Sequence, residues 1–154
     1  MGYGVSLKVS RESWFWIELV GIILGFGVGM IRYKFKFFEV LEALTLGLLP
    51  WLGLFFLRDS IDRSSFPSFL FFFTVTCLIT LFAFLDSHYK NFSWYRSGRI
   101  GFSGLTTLGT LFLLRAAFAS FFPFVISFVK YEAILSGVAA FVFFLATFNL
   151  ARST

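Results

Sequence analysis

Few residues in this chain are suited to chemistry, and most of them stand inside or beside apolar runs. Arg115 interrupts a stretch from Phe102 to Val129 that is otherwise broken only by Pro123. Counted from a helix start near Gly101, it lies about 14 residues in, or roughly 21 Å by helical rise. Guanidinium presents a rigid fork of donors that matches phosphate or carboxylate oxygens. A lipid phosphate and an intramembrane carboxylate are therefore its natural partners. Glu39 and Glu42 are three residues apart and share one helix face. A carboxylate at membrane depth marks a functional interior by default, but both are close enough to Lys34 and Lys36 to pair with them. Glu18 stands one turn into the first apolar run. Between Tyr95 and Gly104, Arg96 and Arg99 flank Gly98, and Thr106, Thr107 and Thr110 follow. That pattern suits either a phosphate-holding turn or an ordinary basic loop.

Other chemistries find little support. His88 is the single histidine and Cys77 the single cysteine, so neither a metal site nor an internal disulfide is expected. No Ser/His/Asp spacing points to a nucleophile, and no cofactor is implied. The formal charge is +5. Its basic residues sit in short segments beside apolar runs, which favours anionic headgroups over nucleic acid as partner. The opening Met1-Gly2-Tyr3-Gly4-Val5-Ser6 fits an acylation pattern, but a chain that crosses the bilayer repeatedly gains little from one acyl group.

The elements that position these residues follow from composition. Of 154 residues, 58% are hydrophobic and 14% charged, and mean hydropathy is +0.88. Ordinary soluble domains carry about a quarter charged residues, and a spanning helix needs about 20 mostly apolar ones. The chain reads as one all-α transmembrane domain over 1–154, a polytopic bundle of about five spanning helices. They are expected at 14–31, 37–57, 66–85, 101–122 and 133–150. The first run starts at Trp14 and leads into a basic loop, so it reads as a spanning helix and not as a cleavable signal. The polar stretch Arg58–Ser65 reads as a loop, Asp86–Arg99 as a longer one, and Pro123–Glu132 as a turn or interfacial segment, in which Glu132 is matched with Lys130. Gly21, Gly25 and Gly29 recur at every fourth position, with Gly27 between, a spacing that lets another helix pack closely. Trp14, Trp16, Trp94 and Tyr95 fall near helix ends, where aromatic belts form.

Loop charge predicts orientation. The first connection holds Arg32, Lys34 and Lys36 with no acid; the second balances Arg58 and Arg63 against Asp59 and Asp62; the third sets Lys90, Arg96 and Arg99 against Asp86. By the positive-inside rule the first and third connections and the tail with Arg152 are cytoplasmic. The N-terminus then faces out and the C-terminus is cytoplasmic.

In order, these runs resemble the later part of the bacterial prolipoprotein diacylglyceryl transferases. Ile17-Glu18-Leu19-Val20-Gly21-Ile22 leads to Arg32-Tyr33-Lys34-Phe35-Lys36, then to Phe38-Glu39-Val40-Leu41-Glu42-Ala43-Leu44 and Leu46-Gly47-Leu48-Leu49. Phe66-Pro67-Ser68-Phe69-Leu70-Phe71-Phe72 is similar to that family's His-Pro-x-Gln-Leu-Tyr-Glu stretch, and Gly98, Gly101 and Arg115 are similar to its glycine and Tyr-Gly-x-x-Arg helix. The likeness covers about 100 residues, Phe15 to Phe118. It departs at the catalytic histidine, which has no counterpart, at the Gly-Arg-x-x-Asn signature, which is absent between Leu46 and Leu57, and at Leu111, where the tyrosine would stand. The resemblance implies a phospholipid-handling protein of the bacterial cytoplasmic membrane that transfers diacylglyceryl from phosphatidylglycerol to a lipoprotein cysteine. Arg115 would contact the phosphate, with Arg99, Glu39 and Glu42 as further substrate-binding candidates. A lipoprotein precursor or another membrane subunit would be its partner. A non-catalytic bundle, lipid-binding, channel-like or stabilising a partner, is the alternative class; in it an intramembrane glutamate neutralises Arg115. A shorter likeness links Val20-Gly21 to Arg32-Tyr33 and Gly101 to Thr107 with the small four-helix fluoride channels, whose pore asparagine is not reproduced.

Overall fold

The computed structural model describes residues 14–34, 36–93, 95, 100–122, 125 and 128–152. Among the described residues the chain is all-helical: α1 (Trp14–Tyr33), α2 (Phe37–Arg63), α3 (Phe66–His88), α4 (Phe102–Phe121) and α5 (Glu132–Arg152), with one 3-10 turn at Tyr89–Asn91. All five are long and apolar enough to cross a membrane. Their mostly apolar surface, with residues such as Leu24, Phe73 and Phe141 exposed, fits a lipid environment, where helices are the structure that satisfies every backbone group internally.

Two boundaries differ from the sequence-based expectation by more than two residues. The polar stretch after Leu57 is not a loop: α2 continues to Arg63. Charges spaced four apart explain it. Arg58 Nε pairs with Asp62 at 3.2 Å and Arg63 Nε with Asp59 at 3.1 Å, each a bridge between successive turns. Asp59 is also buried and accepts a 2.5 Å hydrogen bond from Ser68 of α3, which fixes the α2–α3 corner. The helix stops at Ser64, whose backbone turns left-handed (φ 50°). Likewise α3 runs past Leu85 to His88. Its extra turn holds Ser87, bonded to the Ala83 carbonyl, and His88, stacked on Phe84 with ring centroids 4.6 Å apart.

Packing is uneven. α4 and α5 meet along their length, as do α2 and α3, whereas α1 touches the bundle sparsely. Only 11% of the spanning stretch of α1 is buried, against 56% for α4. α4 is therefore the central helix. Its close approaches use glycine: a Cβ on Gly104 would sit 3.2 Å from Glu42 Cγ and Thr45 Oγ1, and one on Gly109 would sit 3.2 Å from the Phe144 ring. The glycines of α1 do no such work. A Cβ at Gly21, Gly25, Gly27 or Gly29 meets nothing within 4 Å, so the spacing expected to seat another helix seats none among the described residues.

Candidate functional site

Arg115 is completely buried, at 0% exposure, and its partner is a carboxylate. The apolar run of α4 places it six residues before the helix end at Phe121. There it faces the first residue of α5, Glu132, itself buried. Nε and Nη2 of Arg115 donate to Glu132 Oε1 at 3.0 and 2.8 Å. Ser136, one turn along α5, donates to the same oxygen at 2.6 Å. The other oxygen, Oε2, accepts from Trp16 Nε1 of α1 at 2.8 Å and from the Val129 amide at 3.4 Å. Aromatic faces complete the enclosure: the Arg115 guanidinium carbon lies 3.7 Å from the Phe15 ring centroid and 5.1 Å from that of Phe128.

The physical logic is neutralisation. A charge out of water is stable only when paired and hydrogen-bonded, and a carboxylate at a helix N-terminus is further favoured by the helix dipole. Both groups meet these conditions together. Of the two partners expected for Arg115, the chain itself supplies the intramembrane carboxylate, and it is Glu132 where Glu18 or Glu39 was expected. Glu132 was expected in a polar turn beside Lys130; instead it turns inward, and Lys130 lies over the Tyr131 ring at 5.6 Å. Two of its partners were legible only as something else. Trp16 has the sequence signature of a belt residue, and Ser136 is an ordinary helix serine. One signal was available: Glu132 opens the last apolar run, and Arg115 sits in the last two turns of the run before it. A short connection makes those helices antiparallel and brings both residues to the same end.

The remaining candidates separate. Glu39 is exposed and forms a 3.8 Å pair with Lys36, one of the lysines expected for it. Glu42 does not join it. It reaches from α2 to the start of α4, where Oε1 accepts from the Gly101 amide at 2.7 Å and the Ser103 hydroxyl at 2.9 Å. In effect Glu42 caps α4 from a neighbouring helix, satisfying donors that the first turn leaves open. Gly101 is needed there: its φ of 113° lies in the left-handed region, and a Cβ would fall 2.8 Å from Phe38. Ser103 also stands 3.4 Å from Asp86. Arg99, with Arg96, Gly98, Trp94 and Pro123, lies outside the described residues. Among the described residues, no group of three or more His, Cys, Asp or Glu is placed to hold a metal ion.

A second feature lies between α1 and α2. Gly25, Gly29 and Tyr33 on one side, with Glu39, Val40 and Ala43 on the other, wall an open, predominantly apolar groove of about 620 Å³. That volume is within the usual range for small-molecule sites. Gly25 and Gly29 put no side chain into the space between the two helices, and a Cβ at either would meet nothing within 4 Å.

Comparison of the chain with protein-family models, with curated proteins and with solved structures finds no match.

Proposed function

We propose that this chain is a non-catalytic phospholipid-binding protein of the bacterial cytoplasmic membrane, with its N-terminus out and its C-terminus cytoplasmic. The observation that carries this reading is the α1–α2 groove: an apolar slot of about 620 Å³ in two helices of spanning length. An acyl chain suits its walls, because a lipid tail matches apolar side chains without unmet polar groups. Arg32, Lys34 and Lys36 stand at the end of the groove where Tyr33 and Glu39 lie. On the positive-inside assignment they sit at the cytoplasmic headgroup level, where basic residues attract anionic lipid.

Transfer of a diacylglyceryl group, which the resemblance implies, asks Arg115 to hold a phosphate. In this arrangement Nε and Nη2 both donate to Glu132 and the residue is fully enclosed, which favours binding over transfer. Retention of phospholipid is the test. Wild-type protein reconstituted with phosphatidylglycerol and released into detergent should carry bound lipid by native mass spectrometry. Gly25→Leu and Gly29→Leu, which fill the groove, should weaken retention about tenfold, a change of about 1.4 kcal/mol, with helicity unchanged. A wild-type protein that emerges free of lipid would overturn the reading. Lipid lost from Arg115→Ala but kept by both glycine variants, all three remaining folded, would favour the phosphate-holding role instead.

A further inference from the structure

α1 is fastened to the bundle at its two ends by different means. At the Trp14 end the fastening is side-chain contact: Phe15 is fully buried over Arg115, Trp16 bonds to Glu132, and Leu19 joins the core. At the other end a three-residue connection, 34–36, ties it to α2, beginning at Lys34 with a left-handed backbone (φ 57°). Between them the helix shows little buried surface among the described residues. Ile22 and Phe26 are partly buried, whereas Val20, Ile23, Leu24, Val28 and Ile31 are 53–85% exposed. The glycine positions along it are open.

A helix moves as a rod, and hinge motion concentrates in the few residues that end an element. Pivoting at Lys34, just past the end of α1, would swing the Trp14 end furthest. That end covers the buried ion pair, while the groove occupies the angle between α1 and α2.

We propose that α1 is a hinged strap, which pivots at Lys34, lifts Phe15 and Trp16 from Arg115 and Glu132, and so uncovers the ion pair and widens the groove. The motion widens a groove whose occupant is the phospholipid proposed above, and to that extent it rests on the lipid-binding reading. Its motion can be measured without lipid, so the two stand or fall separately.

The test uses thiol labelling of the full chain in detergent, with the exposed Cys77 replaced by serine. Leu19→Cys reports the strap, Leu108→Cys the core of α4, and Ile23→Cys an exposed position. N-ethylmaleimide should label Leu19→Cys more slowly than Ile23→Cys and at least about tenfold faster than Leu108→Cys. Trp16→Phe removes the bond to Glu132. It should speed labelling at residue 19 about tenfold, as expected for one charge-assisted bond, while leaving residue 108 unchanged. Equal acceleration at both positions, or none at residue 19, would overturn the strap. Spin labels at Ile17 and Tyr131, both surface positions at the Trp14 end, provide a measurement that leaves the fastening intact. Two distance populations, the longer one enlarged by Trp16→Phe, are expected, and a single unchanged distance would overturn it.

Discussion

The Arg115–Glu132 pair illustrates what a buried charge requires. One guanidinium, one indole N–H, one hydroxyl and one backbone amide converge on a single carboxylate. Deleting one partner leaves the other charged and enclosed, which in buried pairs costs about 3–5 kcal/mol. Glu132→Ala should therefore destabilise the protein by about that amount, measured by denaturant unfolding in micelles. Replacing both charges, as in Arg115→Met with Glu132→Gln, should cost less than the sum of the single changes by at least about 1 kcal/mol. Strict additivity would show that the pair is not an energetic unit. Asp59 poses a smaller version of the same problem. It is buried, accepts from Ser68 and pairs with Arg63, so Asp59→Ala should cost about 1–3 kcal/mol by the same assay.

Among the elements, glycine separates into two uses that look identical along the chain. Gly104 and Gly109 let α2 and α5 approach α4, and a methyl group at either would press on atoms 3.2 Å away. Overpacking of this kind costs about 1–3 kcal/mol, so Gly104→Ala should lower stability by that order. Gly25→Ala and Gly29→Ala meet open space and should fall within about 0.5 kcal/mol of wild type or slightly above it, since alanine is the better helix former. A large loss at Gly25 or Gly29 would mean that another helix packs there in the membrane. The α2–α3 corner makes a related point. Charged residues usually end a spanning helix, yet Arg58, Asp59, Asp62 and Arg63 prolong this one by pairing across its turns.

For the molecule as a whole, the bundle is asymmetric: α2 to α5 form the packed body, and α1 leans against it. That asymmetry leaves the groove on one side and makes α1 the natural moving part. The orientation proposed from the charged connections has a direct test. With the first and third inside, a fluorescent reporter fused after Thr154 should fold and emit in the cytoplasm, and an alkaline phosphatase fusion at the same place should be silent. Active phosphatase there would reverse the orientation and put the basic end of the groove in the opposite leaflet.

Hydropathy and run length alone were enough to determine five membrane-length helices and their approximate centres, because the length of an apolar run is a local property. The importance of Arg115 was legible for the same reason: a charge inside such a run needs a partner wherever the helix is placed. Helix ends at Arg63 and His88 were hidden, since side-chain pairing across turns competes with composition there. Only tertiary structure decided that Glu132 is the partner, that Glu42 caps α4 while Glu39 stays at the surface, and that the glycines of α1 border a groove. Each of those outcomes depends on which helix lies opposite. Helix pairing is set by the sum of many weak contacts, and no single stretch of sequence carries it.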